Sequence, residues 1–445
     1  MINAREQQHD GEALTPTVAI IGAGPAGLMA AECLAKQGVL VTVFDAMPSA
    51  GRKLLQAGRG GLNLTHSEAY DQFVSRYGDQ SDVVNTWLHT LDANGLRQWA
   101  SELGIETFIG SSGRVYPTSM QAAPLLRAWL TRLRGLGVQF AMRHRWQGWS
   151  AQGELRFLDQ HHTPARDVSL TPNATVLALG GASWARLGSN GLWAELLSQR
   201  GVALAPFKPS NGGFNVGWSS VFAQKFAGQP IKNVALSFTD HAGKAWHKLG
   251  EAMITQHGLE GSAIYALSAP LRESLLALNK HQDSNLNSNS SSSSSQPGLV
   301  NASLPLWLDL MPDKSPAQLQ AQLLKPRGKQ SLSSFLKRAG LNPVQIGLLR
   351  EVLTSHQLND MPTVARTLKA LPLPILSPRP MDEAISTAGG VLLSELTEHL
   401  MLKHCPGVFC TGEMLDWEVP TGGYLLTAVL ASAQVAAQGV LEHLN

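Results

Sequence analysis

Between Val18 and Asp45, the glycines Gly22, Gly24 and Gly27 separate an apolar VAIIG segment from an apolar helical stretch, and a second apolar segment, VLVTVF, ends at Asp45. Each position has its own physical task. Gly22 permits a tight turn off the first strand, Gly24 lets backbone approach a pyrophosphate with no Cβ between them, and Gly27 lets the helix pack closely on the sheet. The helix start at Pro25 and Ala26 offers an anion the positive end of the helix dipole. Asp45 is positioned to accept hydrogen bonds from ribose hydroxyls, and its charge repels a 2′-phosphate. The pattern is a dinucleotide clamp that favours FAD or NAD over NADP.

Three further segments carry the same kind of signal. The loop GRKLLQAGRGGLNLT, from Gly51 to Thr65, holds Gly51, Gly58, Gly60 and Gly61, which let successive N–H groups turn toward a bound anion, and Arg52 and Lys53, which would sit beside a pyrophosphate or ribose. The segment NATVLALGG reads as a buried strand ending at Gly180 and Gly181, a second approach to the cofactor. Near the carboxyl end, Gly412–Glu413 follows a short strand, and Gly422–Gly423 precedes Tyr424 and an apolar helix. The amino end of that helix can face the pyrimidine side of a flavin, and Glu413 can bind a ribityl or ribose hydroxyl.

The ordered set GAGPAGLMAA, GRKLLQAGRGGLNLT, LALGGASWARLGSNG, STAGGV and GEMLDWEVPTGGY resembles the YhiN/BaiN-like family of NAD(P)/FAD-dependent oxidoreductases. The resemblance spans nearly the whole chain. It implies an α/β, Rossmann-like flavoprotein of the two-dinucleotide-binding-domain type, with an inserted β-rich and small helical substrate domain. It also implies that Asn63 of the second motif joins Gly22, Gly24, Gly27, Asp45, Arg52, Lys53, Gly181, Gly412, Glu413, Gly422 and Gly423 near FAD; Thr65, at the end of that motif, is a further cofactor-binding candidate. The chain departs from the family at several positions. Gly61-Leu62 stand where the commoner loop has Arg-Cys, Leu425 stands where Asn often follows the tyrosine, and Gln256 occupies a histidine position. No role for a loop thiol or for that histidine carries over.

Candidate catalytic residues are fewer. His257 lies in a glycine-flanked turn and suits general acid work near neutral pH. Arg59 can hold a substrate carbonyl or acid, Tyr424 or Tyr265 can donate a proton, and Trp417 can cover the flavin. The first expectation is an NAD(P)H-driven reductase of an activated C=C bond in a small or ring substrate. The alternatives are a flavin-dependent oxidase of a small amine, similar to aminoacetone oxidases, and a flavin-containing RNA-binding protein.

The rest of the sequence bounds these readings. With 445 residues, 44% of them hydrophobic, and a formal charge of +2, the chain can bury large cores and carries no charge excess that demands nucleic acid. Cys33, Cys405 and Cys410 show no CxxC or metal spacing, so no metal site is expected and a reducing cytoplasm suits them. The first 16 residues resemble no signal peptide. Tyr424–Leu441 is apolar enough to suggest a membrane span, but its glutamines argue for a buried element and a soluble protein. The expected domains are 17–205, the first part of the FAD-binding domain; 206–314, a β-rich insert in which 283–298 is a flexible loop; 315–370, a helical subdomain; and 371–445, the return to the FAD-binding domain. The prolines Pro372, Pro374, Pro378 and Pro380 read as a stiff connection.

Overall fold

The computed structural model describes residues 15–288 and 303–445. The chain divides into two compact units, residues 1–207 with 388–445, and residues 208–387.

In the first unit, β1 (Thr17–Ile21), α1 (Pro25–Lys36) and β2 (Leu40–Asp45) follow one another as the glycine pattern predicts. They belong to a five-stranded sheet ordered Val408–Cys410, Ala174–Leu177, β1, β2, Gln139–Met142. Every pairing is parallel. Strands of such a sheet are covered on both faces and read as continuous apolar runs, which is why VAII and ATVL are buried almost throughout. Strand order reverses between β1 and Ala174–Leu177, so a crevice opens at their carboxyl ends. Further along, Ser81–Leu88 and Ala93–Glu102 form two helices, the second capped by Asp92, whose side chain accepts from the Gly95 N–H. The terminal helix Tyr424–Leu444 contains an 18-residue stretch with a mean hydropathy of 1.5, long and apolar enough to cross a membrane, yet 72% of that stretch is buried inside the protein. Its Ala, Val and Leu residues belong to the same core as α1.

The second unit is built on a closed barrel of six strands, ordered Phe214–Val216, Gly258–Glu260, Ala245–Ile254, Pro230–Thr239, Leu304–Asp309 and Leu371–Pro378. Four helices, Pro316–Leu323, Leu332–Arg338, Pro343–Val352 and Met361–Lys369, share its hydrophobic core. Two begin with full capping boxes, Ser315 with Gln318 and Asn342 with Gln345. Two sequence expectations need correction. The proline segment is a barrel strand and not a connection: Leu371, Leu373 and Ile375 face inward, while Pro374 stands opposite Pro305. Neither proline has an N–H to donate, so the ladder bonds fall to the alternate leucine pairs, and the strand tolerates its prolines. The helix Ser268–Ser288 extends into the first residues of the polar tract expected to be a loop, and the remainder of that tract, 289–298, lies outside the described residues.

Candidate functional site

At the crevice of the first unit, Gly22 has φ +112°, and a Cβ there would lie 2.2 Å from the Ala178 carbonyl oxygen. Only glycine fits this crossing of two strand ends. A Cβ on Gly27 would lie 1.9 Å from the Gly22 oxygen, so the helix and turn are in direct contact. Gly24 is different: a Cβ there would meet nothing within 4 Å and would project into open space. Gly24 is also the N-cap of α1, with no side-chain cap, and Pro25 at the first helical position has no amide hydrogen. The first helical amide, at Ala26, is left for a ligand.

Asp45 sits at the end of β2 and grips this turn. Its carboxylate accepts from the Ala23 N–H and the Met47 N–H, each at 2.7 Å. Burial raises its pKa, only partly offset by those two amides and by Arg52. Lone pairs remain for a ribose hydroxyl.

The loop from Gly51 is tied to the fingerprint by a Gly51 N–H bond of 2.8 Å to the Ala23 carbonyl. Arg52 and Lys53 open the short helix α2 (Arg52–Ala57), and Arg59 and Gly60 follow in an exposed 3-10 turn. Gly61 has φ +111°. Buried Arg52 Nε and Asn63 Oδ1 have no hydrogen-bond partner within the protein. A buried polar atom without a partner is costly, so each of these atoms calls for a polar partner that the protein itself does not supply.

The distant motifs arrive at the same place. A Cβ on Gly423, at φ +95°, would stand 2.5 Å from the Thr65 backbone. Thr427 Oγ1 donates to Thr65 Oγ1 at 2.9 Å. A Cβ on Gly412 would touch Ala26 at 2.8 Å. Lys53 and Glu413, predicted separately to face a cofactor, form an ion pair of 2.7 Å, and Lys53 Nζ also donates to Ser183 Oγ at 2.8 Å. Ser183, fully buried within the third motif, was not singled out from sequence. The Gly180–Gly181 turn is held by Trp193 Nε1, 2.9 Å from the Gly180 oxygen, and by Ser189 Oγ, 2.8 Å from the Gly181 oxygen. These two residues were also missed, because an indole and a hydroxyl aimed at a carbonyl leave no sequence pattern.

The predicted catalytic residues stand in different surroundings. Tyr424 is 5% exposed, stacks on His66 at 5.3 Å and meets Phe73 edge-on at 4.9 Å. Burial, then the neighbouring Glu68 carboxylate, push its phenol well above the usual tyrosine value, so it stays protonated. Arg59 is exposed. His257 is exposed in a turn of the second unit, between the strands Ala245–Ile254 and Gly258–Glu260. Trp417 does not offer its face to a ligand. It is 3% exposed, packs on Tyr77 and Trp87, and donates Nε1 to the Gly412 oxygen at 3.0 Å.

The fingerprint turn, the parallel sheet and the converging glycine segments define a Rossmann-like nucleotide-binding protein of the flavin oxidoreductase class. The chain belongs to the HI0933-like family, whose Rossmann-domain model matches residues 16–439. It is 26% identical over 437 residues to a 3-dehydro-bile acid delta(4,6)-reductase of Clostridium scindens, covering 96% of this chain and 99% of that one. It is 25% identical over 263 residues to a ribosomal RNA dihydrouridine synthase of Haemophilus influenzae, covering 56% of this chain and 60% of that one. Among solved structures, a 3-ketosteroid-delta4-(5alpha)-dehydrogenase from Rhodococcus jostii RHA1 aligns over 96% of both chains with 13% identity and a TM-score of 0.47.

Proposed function

We propose that the protein is an FAD-dependent oxidoreductase that uses NAD(P)H to saturate a C=C bond conjugated to a carbonyl in a ring substrate. The observation that carries this reading is the end-to-end alignment with the bile acid delta(4,6)-reductase. The crevice fits FAD, because Arg52 Nε and Asn63 Oδ1 are buried without partners and the space above Gly24 is open. Bound there, FAD supplies hydride transfer.

The protein's own residues do the rest. The Ala26 amide and the Arg52 guanidinium hold the pyrophosphate, Asp45 takes the ribose, and Asn63 orients the flavin end. The Lys53–Glu413 pair fixes the second and fourth motifs against each other across the crevice. Thr65 and Gly423 close the turn from which the terminal helix directs its amino end inward. Arg59 anchors the substrate carbonyl or acid group. Tyr424, kept protonated, donates its Oη hydrogen to the Glu68 carboxylate and so holds this wall of the site in place.

A second reading has one observation behind it, the partial alignment with a ribosomal RNA dihydrouridine synthase. Forming dihydrouridine also saturates a ring C=C bond conjugated to a carbonyl, so the same residues would serve with RNA as substrate. An anaerobic spectrum decides the matter. NADH or NADPH should bleach the bound flavin, and a 3-oxo-4,6-diene steroid should restore its colour. Recovery only with uridine-containing RNA selects the second reading. Bleaching by a small amine and by neither nucleotide, with peroxide formed in air, overturns both in favour of an oxidase.

A further inference from the structure

Within the first unit, the strands His144–Trp149 and Leu155–Asp159 run antiparallel with His144 directly opposite Asp159. The turn after Asp159 carries His161 and His162. One ligand atom from each of His144, Asp159 and His161 lies within 4.8 Å of the other two. His144 is 9% exposed, and its Nδ1 stands 2.9 Å from the Met142 carbonyl oxygen. A carbonyl only accepts, so Nδ1 carries the hydrogen and Nε2 of the neutral ring keeps its lone pair. Metal-ligating histidines are oriented in this way, with the second ring nitrogen donating to a carbonyl or carboxylate. Asp159 Oδ1 accepts from the His161 backbone N–H at 2.9 Å and lies 2.8 Å from its Nδ1, while Oδ2 is 3.5 Å from His162 Nε2. The turn is therefore wound so that both exposed imidazoles face one carboxylate.

We propose that His144, Asp159 and His161, with water completing the shell, bind one late first-row divalent ion, in the first instance Zn2+. Imidazole nitrogens with one carboxylate oxygen suit Zn2+, Ni2+ or Cu2+, whereas Mg2+ and Ca2+ prefer all-oxygen shells. Ligand atoms on one tetrahedral ion stand roughly 3.4 Å apart. Closure therefore asks about an ångström of the exposed turn, while the buried His144 and its strand stay fixed. The ion ties the open end of the hairpin, because the two opposed strand residues and the turn beyond them all ligate it. It stands outside the proposed redox chemistry, so its test does not depend on that chemistry.

The test is calorimetric titration of chelator-treated, full-length flavoprotein with Zn2+. One ion per chain is expected, with affinity reduced more than about tenfold in both His161→Ala and Asp159→Asn, since even outer-shell changes typically weaken metal binding by that much. Both residues lie in or beside a surface turn, so these variants should fold; unchanged flavin absorbance and melting in chelator will show it. His356→Ala, a surface histidine of the second unit, should bind as the wild type does. Absence of stoichiometric Zn2+ binding by the wild type, or equal binding by the wild type and the two ligand variants, overturns the proposal.

Discussion

Gly24 and Gly22 look alike in sequence, but the space around them separates their roles. At Gly24 a methyl group meets nothing in the protein, and the backbone conformation, φ −81° and ψ −179°, is open to alanine. Gly24→Ala should leave the stability of the FAD-free protein within about 0.5 kcal/mol and weaken FAD binding by at least about tenfold. Equilibrium flavin titration beside a urea melt checks both numbers, and equal FAD affinity would show that the pyrophosphate does not lie over Gly24. Glu32 makes a different prediction. It is 1% exposed on α1 and receives Trp129 Nε1 at 2.8 Å, Trp99 Nε1 at 3.2 Å, Arg132 at 3.0 Å and Lys36 at 2.7 Å. Burial alone would raise its pKa, but the hydrogen bonds from Lys36, Trp99 and Arg132 outweigh it, so the value falls below 4.5. A carboxyl with a depressed folded pKa contributes stability above its unfolded value and loses it as pH falls through the folded one. Glu32→Gln should therefore cost about 2–3 kcal/mol near pH 7. That gap should close progressively below pH 4.5, the unperturbed value. A gap of the same size at the acid end would mean that shape, and not charge, is what Glu32 provides.

At the scale of the element, starts and stops follow local chemistry. Asn342 caps the helix Pro343–Val352: its side chain accepts from the Gln345 N–H while Gln345 reaches back to the Asn342 N–H, both at 2.9 Å. Asn342→Ala should lower stability by about 1 kcal/mol, read as a shift of the denaturation midpoint with unchanged slope; flavin absorbance should not change. Asn-Pro before an apolar periodic run is a local capping signal. The strand Leu371–Pro378 carries no such local signal, because proline spacing alone suggests a connection. Its inward leucines matter only once Leu304–Asp309 lies beside it, and that neighbour is far away in sequence. The proposed metal cluster is hidden from the sequence for a similar reason: His144 and Asp159 become neighbours only through antiparallel strand register.

For the whole molecule, the first unit gathers its glycine motifs from both ends of the chain, so a flavin bound as proposed would stabilise that unit. Removing FAD should lower its stability by about 4 kcal/mol when the cofactor is normally present at 1,000 times its Kd. Differential scanning of stripped and reloaded protein would measure this, and identical melts would mean that the crevice holds no flavin.

The sequence by itself determined the βαβ clamp and the close contact of Gly27 with Gly22, because both depend on residues a few positions apart in the chain. Tertiary structure alone decided that Lys53 pairs with Glu413, that Trp417 braces Gly412 without facing a ligand, and that a proline-rich segment completes a barrel. Those outcomes arise from contacts between distant segments, where a side chain's partner is fixed by strand order and packing and leaves no local pattern to read.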